Sequence, residues 1–327
     1  MNHKSTEKRV AIRMFEIWTE KYRPERLDDI IGHTEIIGRL KAFVKEKSLP
    51  NMLFTGPAGV GKTTAAIALA KEIYGEDWKR NFMETNASDE RGINVVRSKI
   101  KDFARIKPFN ADFKIIFLDE SDALTQEAQQ AMRRTMEKYT STTRFILSCN
   151  YSSKLIPPIQ SRCAIFRFKP LTDADVQNCI KHIEKTEGLQ ITKAGMEALL
   201  KVAEGDMRRA INLLQSVSII KKTVDADDVY SVAASLRPEE VKEILKMALD
   251  KKFLDARKKL ADLMIMRGLS GLDVIKAIHR EILHIDVPDK AKAALIDKLG
   301  EYEFRIVEGG TEDLQIEAFL AQVAALE

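Results

Sequence analysis

Cysteine is scarce, with three in 327 residues, at positions 149, 163 and 179. Odd in number and without a Cys-x-x-Cys pair, they argue against a disulfide framework or a thiolate zinc site, and reduced, mostly buried thiols are expected. No apolar run approaches the roughly 20 residues that span a bilayer, and the N-terminus is charged rather than apolar. Membrane insertion and secretion are therefore not expected, and an intracellular setting is. The chain has no internal repeat and no low-complexity tract. Net charge is also low, +4, but it is unevenly spread: the first 170 residues carry 30 Lys+Arg against 21 Asp+Glu, the remainder 23 against 28. That asymmetry points the first part toward a polyanion and the second toward protein, although solvated surface charge accounts for it equally well.

With 45% hydrophobic and 31% charged residues, the chain is long enough for two or three domains with real cores. Residues 1–17 read as a polar, basic arm. From there to 170, short apolar runs at 51–55, 81–86, 114–119, 144–150 and 164–169 alternate with helical patterns, as in a parallel sheet wound by crossover helices. Lys169-Pro170-Leu171 breaks this pattern, and Thr172 with Asp175 three residues on has the form of a capping box. Helical segments then follow at 172–187, 192–204, 206–221 and 225–234. Arg237-Pro238-Glu239-Glu240 marks another boundary, because proline suits a first helical turn and acids favour a helix N-terminus. Beyond it Val241, Ile244, Leu245, Ala248 and Leu249 recur at helical spacing, as do Leu260, Leu263 and Met264, for core packing or subunit contact. The expected layout is an arm (1–17), an α/β nucleotide-binding domain (18–170), a helical lid (171–236) and a C-terminal all-α domain (237–327).

The chemistry concentrates on Gly56-Pro57-Ala58-Gly59-Val60-Gly61-Lys62-Thr63, followed by Thr64. The spacing Gly-x4-Gly-Lys-Thr, between an apolar run and a helix, lets backbone N–H groups wrap phosphates; Lys62 would reach the β/γ oxygens and Thr63 would ligate Mg²⁺. The run Ile115-Ile116-Phe117-Leu118 delivers Asp119 and Glu120 at the crevice where open α/β sheets bind ligands. Asp119 is expected on the metal and Glu120 as the general base toward water. Asn150 closes the next strand, where its amide could orient that water or touch the γ-phosphate. Between Arg91 and Lys107, Arg97, Lys101 and Arg105 stack one turn apart on a helix, a basic stripe suited to tracking phosphates without reading bases. Ile100 and Phe103 on the same helix fit a core, and Ile106 and Phe109 a partner.

These stretches together resemble an AAA+ ATPase of the replication factor C small-subunit type, a component of the sliding-clamp loader. The resemblance runs from about Trp18 onward. It is carried by Glu20-Lys21-Tyr22-Arg23-Pro24, Asp29-Ile30-Ile31-Gly32, the phosphate loop, Asn86 to Ile93, Leu118-Asp119-Glu120, Leu147-Ser148-Cys149-Asn150, Ser161-Arg162-Cys163 and Gly205 to Asn212. It implies that Tyr22, Arg23, Ile30 and Ile31 line the base and ribose side. Asn150 takes the place of a first sensor and Arg208 that of a second, reaching the γ-phosphate from the lid. Arg162 takes the place of a finger that completes the neighbouring subunit's site. Arg91, Arg97 and Lys154 are implied as contacts to duplex phosphates. The implied activity is ATP hydrolysis, with Mg²⁺, that opens a clamp of the proliferating-cell nuclear antigen type and loads it on primer-template DNA. Other copies of the chain and a larger homologous subunit would be partners in a heteropentamer, joined by residues 237–327 as a collar, in the cytoplasm beside the nucleoid. Ser121 departs from the pattern, where alanine is commoner, and residues 1–17 match nothing in it. Two rival readings remain at this point, a scaffold that binds nucleotide without turnover and a ring helicase; residues 238–327 lack the basic winged-helix signature the second would need.

Overall fold

A computed structural model describes residues 16–88 and 93–326, leaving aside the side chains of 93–97. Most of the arm expected over 1–17, and Arg91, lie outside the described residues. The chain divides into two compact units: residues up to Glu187 with Ala203–Gln215, and Gly188–Val202 with Ser216 onward. The segment expected as a lid, 171–236, contributes to both.

The first unit is built on five parallel strands, β1 (Met52–Thr55), β2 (Phe82–Asn86), β3 (Lys114–Asp119), β4 (Thr143–Cys149) and β5 (Ala164–Arg167), in the order β2-β3-β4-β1-β5. β1, β3 and β4 are buried almost throughout because helices cover both faces, so they appear in the sequence as unbroken apolar runs. One face packs Met52, Phe54, Ile115, Phe117 and Ile146 against helices Thr34–Glu46 and Lys62–Tyr74. The second of these runs beneath the sheet on a surface of Ala65, Ala66, Ala68 and Ala70, small enough for close approach. The other face packs Leu53, Ile116, Leu118, Phe145 and Leu147 against Ile100, Ala104, Met132 and Met136 of helices Ile93–Arg105 and Gln126–Lys138. At roughly 25 cal/mol per Å² of apolar surface, burying the rings of Phe54, Phe117, Phe145 and Phe166 is a main source of this unit's stability. The expected capping box opens helix Asp173–Glu187: Thr172 Oγ1 donates to Asp175 Oδ2 at 2.7 Å, and Asp175 N donates back to Oγ1 at 3.2 Å.

The second unit is helical apart from a two-residue parallel pair, Gln190–Ile191 with Thr223–Val224. Helices Pro238–Leu249, Phe253–Arg267, Gly271–Ile282, Asp289–Val307 and Glu312–Ala324 enclose one core of Val241, Ile244, Leu245, Leu260, Ile278, Leu299 and Phe319, among others. The stripe read after Pro238 is thus core. Pro238 sits in the first turn as expected, and Glu240 accepts from Arg237 N at 2.8 Å to satisfy the helix start. No described helix is long and apolar enough to cross a membrane.

Candidate nucleotide site

β1 leads into the phosphate loop at the edge of the sheet where the strands end. Gly56, Gly59 and Gly61 have φ of +152°, +68° and +96°, a region that side chains rarely enter. Space excludes a side chain as well: a Cβ on Gly56 would lie 2.1 Å from the Phe168 carbonyl oxygen, and one on Gly59 would lie 1.7 Å from Asp206 Oδ1. The loop leads into the start of helix Lys62–Tyr74, whose dipole favours an anion there. Lys62 is buried and donates to the carbonyls of Gly56 at 2.6 Å and Pro57 at 2.7 Å, and to Asn150 Oδ1 at 3.3 Å. Burial draws its pKa below the ordinary lysine value, against the opposing pull of Asp119. An incoming phosphate would return to this ammonium the charge partner that burial denies it.

Beside the loop, β3 ends at Asp119. Its Oδ2 accepts from Thr63 Oγ1 at 2.9 Å and its Oδ1 from Glu120 N at 2.9 Å. Glu120 takes a left-handed conformation, φ +51°, which ends the strand and leaves the side chain exposed. Ser121 is fully buried and donates to the Leu118 carbonyl at 2.8 Å, so its departure from alanine is absorbed by one local bond. Asn150 follows β4. Its backbone N–H and that of Tyr151 both donate to Asp122 Oδ2, at 3.3 and 3.4 Å, which fixes the turn carrying the amide.

The wall of a cavity of about 200 Å³ includes Tyr22, Arg23, Ile30, Ile31, Ala58, Gly59, Val60, Gly61, Lys62, Thr63, Thr64, Asp119, Glu120, Asn150 and Arg208. Arg208 arrives on the first turn of helix Met207–Ile220, which is tied to the loop by a bond from Met207 N to Gly59 O at 3.1 Å. Asp206, beneath Gly59, accepts from Arg209 N at 2.9 Å and so caps that helix. The apolar part of the wall adds Leu171, Met207 and Ile211, with Cys179. Sequence reading did not assign these four to the site, because apolar residues at helical spacing are equally well explained by a core. Tyr22 donates its hydroxyl to Glu187, and burial together with that carboxylate pushes its pKa up to about 12.

Gly56 and Pro57 are absent from the wall and serve instead as acceptors for Lys62. Arg162 is not part of the wall either. It precedes β5, at the edge where the strands begin, whereas the phosphate loop follows β1 where they end. There its Nη1 donates to the Pro158 carbonyl at 2.7 Å and its Nη2 pairs with Glu137 at 2.7 Å. Lys154 is exposed after the turn that follows β4, 5.5 Å from the exposed Tyr151 ring. Arg97 lies on helix Ile93–Arg105, with its side chain outside the described residues. Farther along that helix, Lys101 and Arg105 join Arg134 and Lys138 around a surface depression. Ile106 and Phe109 are exposed while Ile100 is buried, and among the thiols only Cys149 is fully buried, Cys163 and Cys179 being half-buried.

The Thr63 hydroxyl and the Asp119 carboxylate form an all-oxygen set that suits a hard divalent cation. Among the described residues no group of three or more His, Cys, Asp or Glu converges on a metal position. This pair would therefore hold Mg²⁺ only together with substrate phosphates and water, as is usual for that ion.

Comparison with known proteins adds family to geometry. Residues 52–171 match the ATPase family associated with various cellular activities, and residues 236–322 match the replication factor C C-terminal domain. The chain is 54% identical over 311 residues to the replication factor C small subunit of Methanococcus vannielii, covering 95% of this chain and 99% of that one. Identity is 56% to the corresponding protein of Methanocella arvoryzae, with coverage of 94% and 95%. To that of Archaeoglobus fulgidus it is 52%, with coverage of 95% and 98%. Among solved structures, the Thermotoga maritima RuvB Holliday junction branch migration motor is similar with a TM-score of 0.53, over 73% of this chain and 85% of that one. At 20% identity that likeness is one of fold.

Proposed function

Because the chain belongs to the replication factor C small-subunit family, we propose that it is an ATPase subunit of a clamp loader, opening a sliding clamp and placing it on primer-template DNA. Binding of ATP brings Lys62 and the loop N–H groups onto the β- and γ-phosphates, with Arg208 closing from helix Met207–Ile220. Thr63 and Asp119 would hold Mg²⁺, which would supply neutralisation of the phosphate charge. Glu120 takes a proton from the water that attacks the γ-phosphorus, Asn150 orients that water, and the bond from the γ-phosphorus to the β,γ-bridging oxygen breaks. Arg162 of one copy completes the site of its neighbour. The partners are further copies of this chain and a larger homologous subunit in a heteropentamer, joined through residues 237–327, with a clamp of the proliferating-cell nuclear antigen type. Primed DNA is held by Arg91, Arg97 and Lys154 through its backbone.

One observation supports this reading: Lys62, Thr63, Asp119, Glu120, Asn150 and Arg208 line one cavity, whereas Arg162 lies at the opposite edge of the sheet. A site complete in all but its finger needs a neighbour, and that couples turnover to assembly. The test is steady-state ATPase with clamp and primed DNA. Arg162→Ala should abolish stimulated turnover while ATP still binds; an isolated monomer that hydrolyses as fast without the guanidinium as with it defeats the reading. Sustained strand displacement by the purified assembly would favour a helicase instead.

A further inference from the structure

Helix Gln126–Lys138 carries Arg133 and Glu137 one turn apart, and the chain returns beside it at Arg162. Glu137 Oε1 is 2.7 Å from Arg162 Nη2 and 3.9 Å from Arg133 Nε, so one carboxylate serves two guanidiniums. Arg162 is further fixed by Nη1 donating to Pro158 O at 2.7 Å, from the helical turn just before it. Its side chain remains 38% exposed. Of the five N–H donors in a guanidinium, two are then engaged within the chain. Arg133 Nε, by contrast, is buried with no hydrogen-bond partner, so its charge weighs on Glu137 without a bond that would hold the carboxylate to it. Arg162 is the group that Glu137 actually grips.

We propose that Glu137 is a positioning residue for Arg162, orienting the guanidinium before the neighbouring subunit's phosphates reach it. This rests on the reading of Arg162 as a group that acts across a subunit interface. An arginine chain has many rotamers, and fixing one of them in advance removes ordering that would otherwise accompany the transition state. The carboxylate does this from its own subunit and touches neither nucleotide nor water. Its effect belongs to the neighbour's site and not to its own.

That asymmetry supplies the test. Full-length chains are assembled as mixtures with the large subunit, clamp and primed DNA. The donor carries Glu120→Gln, so that it binds ATP without turning it over, and the acceptor carries Arg162→Ala. Turnover restored on mixing then comes from the acceptor's site with the donor's guanidinium. Adding Glu137→Ala to the donor should lower that restored kcat by about 10- to 100-fold with KM for ATP unchanged. Glu137→Gln, which keeps an acceptor oxygen, should lose less. Glu137→Ala on the acceptor, which has no Arg162 to orient, should leave the restored rate as it was; size-exclusion profiles check that each mixture assembles. Full restoration with the Glu137→Ala donor overturns the proposal, and so does an equal loss from either side, which would mark a merely structural role. Failure of the Glu120→Gln donor to restore turnover with Glu137 intact overturns the trans-acting reading itself.

Discussion

Thr63 and Asp119 are bonded to each other, hydroxyl to carboxylate, at 2.9 Å across the gap between the phosphate loop and the end of β3. The pair prearranges two oxygens at the spacing of neighbouring ligands, so little reorganisation is needed when a divalent ion arrives with the nucleotide. Thr63→Ala would remove one of the two proposed ligands and the hydrogen bond that steadies the other. We expect kcat to fall by about 10- to 100-fold and the Mg²⁺ concentration for half-maximal turnover to rise, with nucleotide binding in EDTA nearly unchanged. A Mg²⁺ titration of steady-state ATPase checks this, and an unaltered midpoint counts against the assignment.

Asp206 leaves no room for a side chain at Gly59. A methyl group on Gly59 would lie 1.7 Å from Asp206 Oδ1, and its left-handed φ of +68° disfavours any side chain. Gly59→Ala should cost about 1–3 kcal/mol of stability and weaken ATP binding at least tenfold, because the displaced carboxylate also caps the helix that carries Arg208. Asp206→Ala removes the obstacle as well as the cap. The double variant should therefore lose less than the sum of the two single losses, which denaturant melts and nucleotide titrations will show as coupling of about 1 kcal/mol.

Lys154 and Arg97 test the DNA surface separately from the chemistry. Each alanine substitution should weaken binding of primed DNA about equally across sequences and reduce the slope of log K against log salt by about 0.9. Nucleotide affinity should be unaffected in the Lys154 variant, since that residue is not part of the cavity wall. Fluorescence anisotropy at several salt concentrations is sufficient. A slope unchanged in the variants would remove these residues from the interface.

The strands were legible in the sequence because β1, β3 and β4 are buried on both faces, which converts a tertiary fact into a local run of apolar letters. The phosphate loop was legible for a related reason: its geometry is made by eight consecutive residues and glycine is required where φ is positive. The groups that hold the site residues in place were not. Tyr22 meets Glu187 across 165 positions, Arg162 meets Glu137 on another element, and Asp206 lies under Gly59. Such pairs leave no period, and an acid on a helix surface reads as solvated until its partner is seen. The thiols show the same limit, since composition indicated burial but not that Cys179 would join the cavity wall.

In the second unit Glu281 is 3% exposed, yet its pKa is lowered. Burial pushes it up, and the bond from Lys201 Nζ at 2.9 Å, with Lys242 Nζ at 3.5 Å, more than offsets this. A carboxylate whose folded pKa lies below its unfolded value of about 4.3 stabilises the fold above that value, and the contribution is lost as pH falls through the folded pKa. Glu281→Gln keeps the shape and removes the charge. Both lysines are about half exposed, which discounts the 3–5 kcal/mol of a fully buried pair, and a loss of about 1–2 kcal/mol is expected at pH 7. The difference between wild type and variant should stay constant from pH 7 to about pH 5 and narrow below about pH 4.3. Urea melts at stepped pH measure it. A gap that widened as the solution was acidified would mean that the folded pKa lies above the unfolded one, so that burial outweighs the two lysines.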